Sequence, residues 1–131
     1  MTLLAATSTP ATTITTTSET LAANIPAFPL SPPGAAQAIV IRGNIAVTTG
    51  TAVTALAVRL RVGQNNTTTA LVDAAEPMMA AASGSYSAPF EFEDTVFGDA
   101  NSGYSLTVVQ TGATGNGTIT QVEYSVDLAI P

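Results

Sequence analysis

Strict alternation of apolar and polar residues constrains this chain most, and it is clearest at the C-terminal end. Val122, Tyr124, Val126, Leu128 and Ile130 fall on one parity, and Gln121, Glu123, Ser125 and Asp127 on the other. A period of two belongs to an extended strand with one buried face, whereas a helix needs apolar spacings of three and four. The pattern recurs upstream. Ile39, Ile41, Ile45 and Val47 alternate with Arg42, Asn44 and Thr48, and Leu56, Val58, Leu60 and Val62 with Arg59 and Arg61. Tyr86, Ala88, Phe90 and Phe92 share a face opposite Glu91 and Glu93, and Tyr104, Leu106 and Val108 form another apolar row. Residues 67–72 read as a further short strand. Residues 73–84 read as a loop with at most one helical turn, because Pro77 interrupts the helix formers and Ser83-Gly84 ends them.

Glycine- and Asn-rich turns separate these segments, at Thr49-Gly50, at 63–66, at 98–103 and at 111–117. Short alternating strands with turn signals between them predict an all-β chain, an antiparallel β-sandwich with two sheets on a shared core. Strands of about ten residues and loops of unequal length fit a jelly-roll-like arrangement. The paired Cys and buried Trp of immunoglobulin domains are absent, since the chain has neither residue.

The character changes near Pro33-Gly34. Upstream the chain is Thr-rich, and Pro26, Pro29, Pro32 and Pro33 crowd its end. Proline fixes φ and removes a donor, so residues 1–36 are expected to form an extended Thr/Pro-rich arm, with residues 37–131 as the sandwich. Charge is nearly absent from the arm, while Ile14, Leu21, Ile25, Phe28 and Leu30 are apolar. These five are the expected anchors of an arm that lies on a neighbouring protein or on its own body, a flexible linker being the alternative.

Charge narrows the function. Charged residues make up 9% of the 131, against a norm of roughly 25%. Lys is absent and Arg42, Arg59 and Arg61 are the cations. Lys is depleted from interfaces and Arg enriched, so the pattern suits a subunit whose surface is covered by neighbours, an acidic extracellular domain from a lineage that favours Thr and Ala being the alternative. The net charge of −6 argues against nucleic-acid partners and anionic membrane surfaces. No apolar run is long enough for a membrane-spanning helix. The N-terminus lacks the basic start and unbroken apolar stretch of a signal peptide, so synthesis without export is expected.

Catalytic chemistry is hard to assemble here. With no His, Cys or Lys, the usual general base, thiol and Schiff-base nucleophiles are missing. Carboxylates remain. Glu91 and Glu93 share a strand face, but the aromatic platform of a glycosidase cleft is lacking, and no enzyme activity is expected. Asp94 and Asp99 with loop carbonyls are the weak candidates for a Ca²⁺ site, and their spacing matches no loop motif. No cofactor is expected. The outward pairs Arg59/Arg61 and Glu91/Glu93 suggest a two-rung ion-pair ladder, within a sheet or across subunits. Three Asn-x-Thr matches, at Asn65, Asn66 and Asn116, are expected by chance in so Asn- and Thr-rich a chain.

Three segments carry a resemblance: Leu56-Ala57-Val58-Arg59-Leu60-Arg61-Val62, Gly103-Tyr104-Ser105-Leu106-Thr107-Val108, and the run from Thr118 to Leu128. With its Gly-Tyr-x-Leu strand, Gly-rich turn and terminal strand, the region 37–131 resembles the small trimeric jelly rolls of phage capsid cement (decoration) proteins. More distantly it resembles TNF/C1q-like domains. The resemblance implies a homo-oligomer, a trimer above all, made in the host cytoplasm and bound to the major capsid protein on the outer surface of the virion. A receptor- or glycan-binding head of a trimeric fibre or surface filament is the alternative, and a shell-forming coat protein a third.

Overall fold

The computed structural model describes residues 2–8, 12–14, 19–27, 38–49, 55–68, 71–78, 84–95, 102–111 and 117–129. Among them the regular structure is all strand: β1 (Thr2–Ser8), β2 (Thr12–Ile14), β3 (Thr20–Ile25), β4 (Ala38–Thr49), β5 (Ala55–Val62), β6 (Leu71–Met78), β7 (Gly84–Asp94), β8 (Tyr104–Thr111) and β9 (Gly117–Ala129). Two antiparallel sheets result. The first has the order β1-β9-β4-β7, with β2 also paired to β9, and the second β3-β8-β5-β6. Because β1 and β2 follow one another along β9, each sheet has four strand positions. The chain passes repeatedly from one sheet to the other, which is a jelly-roll arrangement.

The predicted apolar rows form the core wherever their burial is described, except at Val62, which is half-buried, while the side chains of Tyr86, Ala88, Leu128 and Ile130 lie outside the described residues. Ile39, Ile41, Ile45 and Val47 from β4 meet Leu56, Val58 and Leu60 from β5, with Phe90, Phe92, Tyr104, Leu106, Val122 and Val126. Phe90 and Phe92 stack at 5.3 Å between ring centroids. Strand β8 is buried on both faces from Tyr104 to Gln110, as befits a position inside its sheet.

Two expectations change. The arm drawn over residues 1–36 is, in its described parts, a set of sheet strands. β1 and β2 complete the edge of the first sheet against β9, and β3 completes the second against β8. The physical reason is twofold: the outer backbone groups of β8 and β9 need partners, and β-branched Thr and Ile suit extended backbone. Ile14, Ala22 and Ile25 then drop into the shared core. Pro26 follows directly on the end of β3. The second change is at 73–84, where β6 runs through Pro77 to Met78 in place of a loop. β6 is the edge of its sheet, so a residue without an amide donor is tolerated there. The short strand expected at 67–72 is displaced accordingly, with residues up to 68 belonging to the turn after β5.

Two tyrosines tie the sheets together. Tyr104 on β8 donates its hydroxyl to Asp94 Oδ2 at the end of β7, at 2.6 Å with both residues buried. Tyr124 on β9 donates in the opposite sense to the Asn24 carbonyl on β3, at 3.4 Å. Burial raises the Tyr124 phenol above its ordinary value, so it stays a donor. Replacing Tyr104 by Phe is expected to cost about 1–2 kcal/mol. The check is the urea midpoint, which should fall with an unchanged slope; an unaltered midpoint would show that this bond does not hold the sheets.

Candidate protein interface

The turn after β5 is a rigid corner at one end of the sandwich. The Gly63 amide donates to the Gly103 carbonyl at 2.8 Å. The Ser105 hydroxyl donates to the Gly63 carbonyl at 2.6 Å and accepts from the Asn66 amide at 3.0 Å. Asn24 and Asn65 exchange two hydrogen bonds, at 2.9 and 2.8 Å, joining β3 to the turn. Gly103 has φ +72°, and a Cβ there would come within 2.5 Å of the Ile25 carbonyl oxygen. Glycine is therefore what lets this loop press against the end of β3.

On the outer face of the second sheet, the alternation of β5 brings out Arg59 and Arg61. Strand β8 separates β5 from β3, and Glu19, the residue before β3, reaches across it to both guanidinium groups. Arg59 Nη1 donates to Oε1 at 2.6 Å, Arg61 Nε to Oε2 at 2.5 Å, and Arg61 Nη2 to Oε1 at 3.1 Å. The Glu19 side chain is 10% exposed, that of Arg61 15% and that of Arg59 35%. Burial pushes the Glu19 carboxyl upward, but hydrogen bonds and charge from Arg61 and Arg59 outweigh it, leaving the group below its ordinary value.

This replaces the expected ladder within the chain. Glu91 and Glu93 stand on β7, in the other sheet, opposite Arg42 and Val40 of β4. They are exposed, whereas Arg59 and Arg61 are committed to Glu19. Residues 1–41 hold one charged side chain, Glu19. That isolation beside two outward arginines was the signal available in the sequence, and it was missed.

The outer face of the first sheet is acidic. Arg42, 53% exposed, lies 3.9 Å from Asp127, and Asn44 Nδ2 donates to Glu123 Oε1 at 3.3 Å. Glu91, Glu93 and Glu123 are open to solvent. A shallow depression of about 710 Å³ is centred on Gly43 and bordered by Ala5, Thr7, Arg42, Asn44, Glu91 and Glu123. Its groups can form hydrogen bonds and ion pairs with a protein or a polar ligand.

Of the expected anchors, Ile14 and Ile25 are fully buried in the chain's own core, and Leu21 is half-buried on β3. Phe28 and Leu30 lie outside the described residues, as does Asp99 of the Ca²⁺ candidate. Asp94, the other half of that candidate, is buried against Tyr104. Among the described residues no group of three or more metal-ligating side chains gathers, and no helix is long and apolar enough to cross a membrane.

The sheet edges differ sharply in sequence. The β7 edge carries Pro89, Glu91 and Glu93, and the β6 edge Asp73, Glu76 and Pro77. β3 is flanked by Glu19 and Pro26. Strands β1 and β2 contain neither a charge nor a proline. Charge and proline are what keep strand edges from pairing with other chains; β1, β2 and β3 carry neither along their own length, and of these three only β3 adjoins a charged residue.

No family model matches the chain, and no curated protein matches it. Among solved structures, the chain is similar to one in the structure of infectious bursal disease virus Gx strain, with a TM-score of 0.47 and 14% sequence identity. The likeness covers 96% of this chain and 32% of that one, so the chain spans about a third of the virus protein's length.

Proposed function

We propose that this chain is a structural protein of a virus particle, a jelly-roll cement or decoration subunit on the outer capsid surface that binds coat subunits and stabilises their contacts. The observation that carries the reading is the unguarded β1–β2 edge on a lightly charged sandwich. Isolated domains blunt such edges, whereas subunits of an assembly cover them. The lack of His, Cys and Lys supports a binding role over catalysis. The assignment to a virion, rather than another assembly, rests on the resemblance of the strand pattern to capsid cement proteins. A threaded arm is no part of the proposal, because Ile14 and Ile25 already fill the core. Attachment instead uses sheet edges and the acidic outer face around Arg42 and Glu123.

The test is cosedimentation of the purified protein with particles of its source virus from which it has been removed. Binding should saturate at a fixed number of copies per shell and raise the temperature at which shells open. Protein that leaves particles unbound at saturating concentration would overturn the reading. If that same protein were retained on a glycan array, the receptor-head alternative would replace it, with the depression at Gly43 as its site.

A further inference from the structure

We propose that β1 is a self-association edge: two copies of this chain pair β1 with β1, antiparallel, about a twofold axis centred near Ala5. Among the described residues β1 pairs on one side alone, with β9. Half the amides and carbonyls of Thr2–Ser8 therefore face away from β9, with no strand partner among the described residues. Pro10 falls between β1 and β2 in the sequence, and with the register shift at Thr2/Leu4 it limits regular pairing to Leu4–Ser8.

The occupant follows from the edges available. A neutral strand of small side chains is best matched by a strand with the same character; β6 and β7 carry carboxylates and proline, and β3, itself neutral, begins directly after Glu19. A second β1 is the strand of this chain that fits. Centred on Ala5, the pairing sets Ala5 opposite Ala5 and Ala6 opposite Leu4, in the regular part of β1 that follows the register shift at Thr2/Leu4. Ala5, Ala6 and Thr7 are exposed and bring neither bulk nor charge to the seam. The symmetry closes the contact after two copies, so an open edge is used up without growth into a fibre. The acidic outer faces do not oppose it. Glu123 lies on β9, so the two Glu123 rows would be separated by three strand spacings, about 14 Å, beyond the ~8–10 Å screening length of physiological salt.

This inference names a first partner within the assembly proposed above, but it is tested on the purified protein alone. Its failure leaves the particle experiment standing, and the converse holds. Sedimentation should show a dimer at micromolar concentration, with amides of residues 2–8 exchanging more slowly as concentration rises. Ala5→Lys and Ala5→Glu each place like charges directly opposite across the axis, and each alone should weaken the dimer by about tenfold. Mixing the two variants should restore it, because Lys then faces Glu. Wild-type protein that stays monomeric, exchange at residues 2–8 that ignores concentration, or an oligomer indifferent to both substitutions would overturn the proposal. A trimer whose β1 amides stay open to exchange would overturn it equally.

Discussion

Glu19→Gln is expected to destabilise the fold by about 2 kcal/mol near neutral pH, and the loss should fade in acid. The substitution leaves Arg59 and Arg61 facing a neutral amide on the outer face of the second sheet. Removing one partner from a fully buried ion pair costs more, about 3–5 kcal/mol. The smaller figure applies here because Arg59 keeps 35% of its side chain in water. The sign with pH follows from the carboxyl, which folding holds below its ordinary value of 4.5. Its contribution is fully present above 4.5 and is lost as the pH falls through the lower, folded value. Wild type and variant should therefore differ in urea midpoint at pH 7 and converge below pH 4.5. A constant difference down to the lowest pH would show that Glu19 acts by packing and not through its charge.

Gly43→Ala is expected to cost about 3 kcal/mol or more, from a single methyl group. Gly43 stands in β4 between Tyr124 of β9 and Phe90 of β7, both aromatic and both buried. A Cβ there would meet the Glu123 carbonyl oxygen at 1.9 Å and the Tyr124 Cα at 2.8 Å. Both obstacles are backbone of the paired strand, so no side-chain rotation relieves the clash. β4 lies inside its sheet, between β9 and β7, and cannot move aside without breaking a ladder. Chemical denaturation is the measurement. A midpoint shift worth under about 1 kcal/mol would mean that the strands separate readily.

The strands that could be read directly were those whose apolar residues recur with a period of two. β4, β5, β7 and β8 each carry an apolar row of one parity, as does β9 after the register shift that follows Ile119, and their alternation was visible. β6 was hidden, because its Ala-, Met- and Pro-containing segment has neither a strand nor a helix period; pairing with β5 makes it a strand. β1 and β3 were hidden for another reason. Register shifts at Thr2/Leu4 and Leu21/Ala23 break their parity, so Ala22 and Ile25 are both buried though three residues apart. A bulge adds one residue to one strand, and the period-two signal fails there.

The interface divides the same way. Alternation alone put Arg59 and Arg61 on an outer face, and the poverty of charge pointed to covered surface. Which carboxylate meets those arginines was a question about distant strands, because Glu19 lies about forty residues away in sequence. Glu91 and Glu93 had equal chemical claim until the two sheets were separated.

The sequence by itself determined where most strands lie and which of their faces are apolar, because periodicity and side-chain chemistry are local. Tertiary structure alone decided the order of strands, the inclusion of residues 2–8, 12–14 and 20–25 in the sheets, and which strands stand at the edges. Backbone hydrogen bonding is nearly blind to sequence, so any strand edge can in principle pair with any other. The choice is made when one arrangement fills the core with Ile14, Ile25 and their neighbours while seating Glu19 between two arginines.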